Sequence, residues 1–194
     1  LGPADIVLSD VGAHKMWVAR YYQCEDPNTC LISNGFCSMG FALPGAMGAK
    51  FANPHSKVLA VCGDAGFLMN VQDLQTIRQD NINVVISVIN NNGYLAIRNT
   101  QKEFLGGRLY GTHPEWNLAM PSIEKIANAF EIPYVRLDKA EDVEQAVRRL
   151  SPAQGPIICE VVVDENQDVL FRQGYVDNGD GTFGPQPLSE MAPF

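Results

Sequence analysis

The chain has 194 residues, of which 46% are hydrophobic and 19% charged, and its formal net charge is −8. This length suits one domain with a sizeable core. The acidic balance argues against a general nucleic-acid-binding surface, and no run approaches the roughly 18 apolar residues of a membrane helix. The first residues, Leu1-Gly2-Pro3, include no initiator Met and no signal-like apolar segment. Either a segment has been removed from the start of the chain, or the chain is a piece of a longer protein.

The cysteines indicate a reducing compartment. There are five, scattered along the chain, and none forms a C-x-x-C pair, so zinc binding and thioredoxin-type chemistry are poorly supported. Cys24 and Cys30 lie close enough for a local disulfide, but free thiols fit this pattern better. The sequence predicts a cytoplasmic protein.

Apolar β-rich runs alternate with helical patterns along the chain. The strands are predicted at 6–9, 31–33, 57–62, 84–89, 134–136 and 156–163, and helices at 14–22, 40–51, 70–79, from about 94, 122–130 and 138–150. Asn70 is a predicted N-cap, and Asp138 with Glu141 forms a predicted capping box. The tail 164–194 is predicted to be turn-rich and irregular. The alternation predicts a single α/β domain over 1–194, a parallel sheet with helices on both faces.

Polar side chains follow two of the predicted strands. Gly63-Asp64-Ala65-Gly66 comes directly after KVLAVC, and Asn90-Asn91-Asn92-Gly93 directly after VVISVI. Each motif alone is compatible with an ordinary turn or loop. Asp64 and Asn91 are 27 positions apart, which matches one crossover, and parallel strands end at the same edge of a sheet. A carboxylate and an amide oxygen suit Mg²⁺, the glycines allow close approach to a phosphate, and a helix N-terminus favours its charge.

The paired motif resembles the thiamine diphosphate motif, Gly-Asp-Gly followed after one βα unit by Asn-Asn. It reads here GDAGFLMNVQDLQTIRQDNINVVISVINNNGYLAI, with Ala65 in place of the third glycine. DVGAHKMW, SNGFCSMGFALPGAMGAK and EVVVD resemble the opening segment, the Gly-x-Met-Gly segment and the last strand of one family. The chain thus resembles, almost end to end, the C-terminal diphosphate-binding domain of the acetolactate synthase-like family.

The resemblance implies roles for particular residues. Asp64 and Asn91 would bind Mg²⁺ through side-chain oxygens and Gly93 through its carbonyl, while the amides of Ala65 and Gly66 would hold the diphosphate. Met39 would bend the cofactor, although by itself it reads as a core methionine, and the Cys37 carbonyl would hold the 4′-amino group. The full cofactor-binding set implied is Cys37, Ser38, Met39, Gly63, Asp64, Ala65, Gly66, Asn91, Gly93, Tyr94 and Leu95.

The resemblance also implies a reaction and a missing partner. The family decarboxylates a 2-oxo acid such as pyruvate and joins the remaining fragment to a second carbonyl. The glutamate that activates its cofactor belongs to a separate pyrimidine-binding domain, so we expect no catalytic residue in this chain. The pyrimidine-binding and central domains are absent from the sequence. We expect the isolated chain to be nearly inactive and the whole enzyme to be a homodimer or homotetramer.

Substrate-binding residues are less defined by the sequence. Arg98, Thr100 and Gln101 follow the Asn-Asn motif and are candidates to meet a substrate carboxylate, or are simply exposed helix residues. Thr100 stands where biosynthetic acetolactate synthases carry a Trp in a Gln-Trp-Gln triplet. This departure leaves a decarboxylase or lyase for another 2-oxo acid, in a surface-sugar pathway for example, as an alternative. A non-catalytic cofactor-binding subunit is a second alternative.

Five further residues have open assignments. His14 follows a strand end and could face a substrate, although a surface or hydrogen-bonded histidine is the simpler interpretation. Trp17 suits a core or an interface. His113, Trp116 and Asn117 lie in the polar, Gly-rich stretch 106–121, which is a candidate cover for the site.

Overall fold

A computed structural model describes residues 1–167 and 175–187. The central feature is a six-stranded sheet in the order β2-β1-β3-β4-β6-β5, with every neighbouring pair parallel. The strands are β1 (Ile6–Ser9), β2 (Cys30–Ile32), β3 (Val58–Gly63), β4 (Val85–Asn90), β5 (Tyr134–Leu137) and β6 (Ile157–Val162). The predicted α/β class and parallel sheet are confirmed.

Seven α-helices are found in the described residues. They are α1 (Ala13–Tyr21), α2 (Ala42–Ala52), α3 (Asp64–Met69), α4 (Asp73–Gln79), α5 (Leu95–Phe104), α6 (Ile123–Ala129) and α7 (Val143–Leu150). Two 3₁₀ turns lie at Pro114–Trp116 and Ala140–Asp142. None of the helices described is both long and apolar enough to cross a membrane.

Alternate residues of the strands enter different cores, as the period of a strand requires. Ile86 of β4 and Ile158 of β6 belong to a large core that also includes side chains of α2, α4 and α6. Ile157 and Cys159 belong to a smaller core with Ala146 of α7. Helices therefore cover both faces of the sheet, as predicted. A Cβ on Gly45 would lie 2.8 Å from Leu8 Cδ2, so the small residues of α2 allow it to pack closely on β1.

The structure corrects three local predictions. The segment 63–66 does not form a separate turn between β3 and a later helix, because α3 begins at Asp64. Asn70 is not an N-cap: it ends α3, its side chain donates to the Gly40 carbonyl at 2.8 Å, and α4 begins later. The capping box also does not form, since the Asp138 carboxylate pairs with Arg136 at 3.4 Å and the chain enters α7 through a 3₁₀ turn.

The tail differs in part from the irregular segment that we predicted. Tyr175–Asp177 (β7) and Phe183–Pro185 (β8) pair as an antiparallel hairpin. Phe104 at the end of α5 contacts Tyr175 and Phe183 edge-to-face, with ring centroids 5.9 and 4.9 Å apart. The remaining tail residues, 168–174 and 188–194, lie outside the described part of the chain.

Candidate functional site

A cleft of about 100 Å³ opens at the carboxyl ends of β1, β3 and β4. The chain leaves β1 toward β2 on one side and β3 toward β4 on the other, so the cleft lies at the switch point where open parallel sheets bind ligands. It is lined by Val11, Gly12, Ala13, His14, Trp17, Met39, Gly63, Asp64, Ala65, Gly66, Ile89, Asn91, Gly93, Tyr94, Leu95, Ala96 and Ile97.

Asp64 connects the two polar motifs at the floor of this cleft. Its side chain is 2% exposed. One carboxylate oxygen accepts the N–H of Ala65 at 2.8 Å, and the other accepts the N–H of Gly93 at 2.9 Å. Burial raises the pKa of Asp64 to about 6, and the backbone donors only partly oppose this. The two motifs that the sequence predicted to meet are therefore joined by a direct hydrogen bond.

The turn after β4 brings Asn91 and Gly93 to the same cleft. Asn92 has a φ of 60° and Gly93 a φ of 155°, so the chain reverses sharply here. Gly93 must lack a side chain, because a Cβ would lie 2.3 Å from the Thr112 carbonyl oxygen, which also accepts the Tyr94 N–H. Asn91 also lines this cleft.

Two buried residues that follow β1 complete the site: Asp10, which the sequence did not assign to it, and His14 of α1, whose role the sequence left open. The Asp10 carboxylate accepts the N–H groups of Val11 at 2.7 Å and Gly40 at 2.9 Å, which anchors the segment that carries Met39. His14 is 4% exposed and lines the cleft, and its Nε2 has no hydrogen-bonding partner in the described structure. The interpretation of His14 as a surface residue is wrong, while the option that it faces a ligand agrees with the geometry.

His14 predicts a specific pH dependence of stability. Burial lowers its pKa to about 4, from the usual value of about 6.5, so the native state holds this ring neutral. Below about pH 6.5 the unfolded chain binds the proton first, and stability is lost as the pH falls toward about 4. Between pH ~7.5 and ~5, wild type should lose about 2 kcal/mol relative to His14→Gln.

Urea denaturation at these two pH values measures this difference. His55→Gln is the matched control, because His55 is exposed and its removal should leave the pH dependence of wild type unchanged. Equal pH dependence in wild type and His14→Gln would contradict the burial of a neutral imidazole.

The segment before α2 contributes one of its three predicted residues to the cleft. Met39 is on the wall, whereas Cys37 and Ser38 are not among the lining residues. Cys37 has a φ of 50°, and its sulfur accepts a hydrogen bond from Lys15 Nζ at 3.3 Å. Ser38 is exposed. All five cysteines are free thiols.

Only some of the predicted site residues that follow the Asn-Asn motif line the cleft. Tyr94 and Leu95 line the cleft, but the substrate candidates Arg98, Thr100 and Gln101 do not. Arg98 is buried and donates to the Glu165 carbonyl, so it is not the exposed residue that one interpretation suggested. Thr100 is exposed and bonds the Ala96 carbonyl within α5, while Gln101 holds the backbone of Tyr110.

The stretch 106–121 packs beside the turn and does not line the cleft. Its Thr112 carbonyl contacts the Gly93 turn, and His113 Nε2 lies 2.6 Å from a Glu165 carboxylate oxygen. The Trp116 ring lies tilted against the His113 ring, with the ring centroids 5.4 Å apart. Trp17, by contrast, lies on the cleft wall and not in the core.

A family model described as "Thiamine pyrophosphate enzyme, C-terminal TPP binding domain" matches residues 10–161. The chain therefore belongs to the thiamine pyrophosphate enzyme family, through the domain that binds this cofactor, also called thiamine diphosphate. The matched segment contains every residue that lines the cleft.

Its relatives are acetolactate synthases. The chloroplastic acetolactate synthase 1 of Oryza sativa subsp. japonica is 36% identical over 85% of this chain, and the large subunit of Cyanidium caldarium 33% identical over 86%. The mitochondrial enzyme of Schizosaccharomyces pombe is 34% identical over 84%. The match covers 26%, 28% and 24% of these proteins, so the chain spans about a quarter of the length of its curated relatives.

Proposed function

We propose that the cleft binds the diphosphate end of thiamine diphosphate together with Mg²⁺. The observation that carries this proposal is the meeting of Asp64, Asn91 and Gly93 in one cleft, with Asp64 and Gly93 joined at 2.9 Å. Mg²⁺ prefers hard oxygen ligands and is usually held by one or two carboxylates, with phosphate and water completing its shell. Among the described residues, no group of three or more His, Cys, Asp or Glu could hold an ion. Asp64 supplies one carboxylate to this cleft.

The cleft walls also fit a diphosphate. The Nε2 of buried His14 is an unpaired polar atom on this wall, which a hydrogen-bond donor of a bound ligand would satisfy. Gly66 allows the Asp10 carboxylate to approach the backbone closely, because a Cβ on Gly66 would lie 3.0 Å from Asp10 Oδ2. The Ala65 N–H already donates to the Asp64 carboxylate, so Ala65 contributes mainly by fixing the orientation of that carboxylate.

The cofactor, when bound, supplies the carbanion-stabilising chemistry that protein side chains lack. This chain's residues hold and orient it: Asp64, Asn91 and the Gly93 carbonyl at the metal, and Met39 beside the ring system. Leu95 and Ile97 form an apolar part of the cleft wall. A glutamate of a pyrimidine-binding domain, supplied by the rest of the protein or by a second subunit, would activate the aminopyrimidine of the cofactor.

For the whole protein we propose an acetolactate synthase-type reaction, decarboxylation of pyruvate and carboligation to a second 2-oxo acid. The names of the relatives support this reaction. Thr100, with its small side chain where the family's Trp would stand, favours another 2-oxo acid or acceptor as the second candidate. The cysteine pattern supports a cytoplasmic enzyme, and the whole protein is proposed to be a homodimer or homotetramer.

A coupled assay with pyruvate, thiamine diphosphate and Mg²⁺ on the intact protein tests the reaction. Acetolactate formation is expected at a rate that matches CO₂ release. Release of CO₂ without acetolactate would contradict the carboligase and support the decarboxylase. Cofactor binding without release of CO₂ from any 2-oxo acid would support the non-catalytic subunit.

A further inference from the structure

A buried carboxylate lies behind the metal-binding turn, in a place that the proposed function does not use. Glu160 of β6 is 4% exposed. One of its oxygens accepts the Asn90 side-chain amide at 2.5 Å. The other accepts the Tyr134 hydroxyl and an Arg136 guanidinium N–H, the latter at 3.2 Å. Three neighbouring strands thus contribute to one hydrogen-bonded cluster at the carboxyl end of the sheet.

Asn90 connects this cluster to the turn that follows β4. While its side-chain nitrogen donates to Glu160, its side-chain oxygen accepts the Asn92 N–H at 2.9 Å. Both ends of the amide are therefore used, which fixes its orientation. The turn that contains Asn91 and Gly93 is consequently held from two directions, by Asp64 at the Gly93 amide and by Asn90 at the Asn92 amide.

The burial of Glu160 is costly for the fold alone. A buried, hydrogen-bonded ionic cluster is often no more stable than an apolar replacement of similar size, although removal of one partner is harmful. Ile158 and Cys159, the adjacent residues of the same strand, are buried without such a cluster. A carboxylate at this position is explained if it fixes the conformation of the neighbouring turn.

We propose that Glu160 is a positioning residue for the metal-binding turn, acting through Asn90. This inference rests on the proposed Mg²⁺ and thiamine diphosphate site. Glu160 does not reach the cleft itself, since it is not among the lining residues. It holds Asn90 so that the Asn91 amide and the Gly93 carbonyl are presented to the ion in one arrangement. Loss of this restraint should weaken Mg²⁺ more than it weakens the fold.

Calorimetric titration of Mg²⁺ into the intact protein, at saturating thiamine diphosphate, tests the positioning role of Glu160. Asn90→Ala removes the bridge and should raise the apparent Kd for Mg²⁺ about 10- to 100-fold, the range found for residues that orient metal ligands. High Mg²⁺ should restore cofactor binding, because the ligands themselves are intact. Glu160→Gln keeps only one acceptor oxygen and should raise the same Kd at least about fivefold.

Tyr134→Phe is the matched control. It removes another donor from the same carboxylate but leaves the Asn90 bond in place, so its Kd for Mg²⁺ should stay within about twofold of wild type. The double variant Asn90→Ala/Glu160→Gln should bind Mg²⁺ no more weakly than Asn90→Ala alone, because both changes break one path.

Three results would overturn the inference. They are wild-type Mg²⁺ affinity in folded Asn90→Ala, an equal loss in Tyr134→Phe, or full additivity in the double variant. If Asn90→Ala does not fold, wild-type affinity in Glu160→Gln overturns it alone. These results leave the proposed site intact if wild type binds the cofactor with Mg²⁺. Absence of metal-dependent binding in wild type would instead overturn the proposed function, and this inference with it.

Discussion

Asp64→Asn is expected to weaken Mg²⁺-dependent binding of thiamine diphosphate by at least about 100-fold, since even residues that only orient metal ligands cost about 10- to 100-fold. An amide has one oxygen and no charge. The amide nitrogen of the new Asn would also face the N–H of either Ala65 or Gly93. Each of these N–H groups donates to a carboxylate oxygen in the native protein. The variant therefore loses an ion ligand and one of the two hydrogen bonds that join the motifs.

The same change should leave the metal-free fold nearly unaffected. Burial raises the pKa of Asp64 to about 6, from the usual value near 4, so the native state disfavours the charged form. This penalty is absent at low pH and appears as the pH rises from about 4 to about 6, where it reaches about 3 kcal/mol. A neutral amide removes the penalty but loses a hydrogen bond, and we expect a net change within about 1 kcal/mol.

Calorimetry with the cofactor and urea denaturation without it measure the two parts of this prediction. Asp80→Asn is the control, because Asp80 is exposed and lies at the far end of α4 from the cleft. It should bind the cofactor as wild type does. Retention of Mg²⁺-dependent binding in Asp64→Asn would contradict the assignment of Asp64 to the metal.

Gly93→Ala should reduce both stability and cofactor binding. The added Cβ would lie 2.3 Å from the Thr112 carbonyl oxygen, and the φ of 155° is strained for any side chain. Backbone atoms of both segments must therefore move, which threatens the bonds from Gly93 to Asp64 and from Tyr94 to Thr112. We expect a loss of about 2–4 kcal/mol in the free energy of unfolding and a loss of Mg²⁺-dependent binding of more than about tenfold.

Gly48→Ala is the matched control for this substitution. Gly48 lies within α2 at an ordinary φ, and nothing lies within 4 Å of an added Cβ. Alanine there should raise stability by up to about 1 kcal/mol, because it favours the helix. An unchanged free energy of unfolding in Gly93→Ala would show that the contact with Thr112 is not maintained in solution.

Most of the fold was predictable from the sequence because the strands are short apolar runs rich in β-branched residues. VVISVI is the clearest, and the structure places β4 at Val85–Asn90. The order of strands was not predictable. β6 lies between β4 and β5, although it follows β5 in the chain, and only tertiary packing decides such an insertion.

Local signals failed where a side chain had a stronger partner elsewhere. Asn70 has the chemistry of a helix cap, but its amide bonds Gly40, 30 residues earlier in the chain. Asp138 pairs with Arg136 instead of capping α7. Capping preferences act within one turn, whereas these contacts exist only after the sheet and its connections have formed.

The site was predictable where its residues follow strand ends, and not elsewhere. Asp64 and Asn91 meet because parallel neighbouring strands end at one edge. Burial of His14 and Arg98 could not be predicted, because it depends on distant segments: Gly63 packs beside the His14 ring, and Glu165 receives Arg98. The position of His14 in DVGAHKMW, directly after a strand end, was the one local signal for its role.

Titration of the intact protein with thiamine diphosphate, once in Mg²⁺ and once in a metal chelator, tests the central claim most directly. The arrangement of Asp64, Asn91 and Gly93 predicts saturable binding in Mg²⁺ that is lost in the chelator and restored when the ion returns. Binding of equal strength in the chelator, or no binding in Mg²⁺, would contradict it.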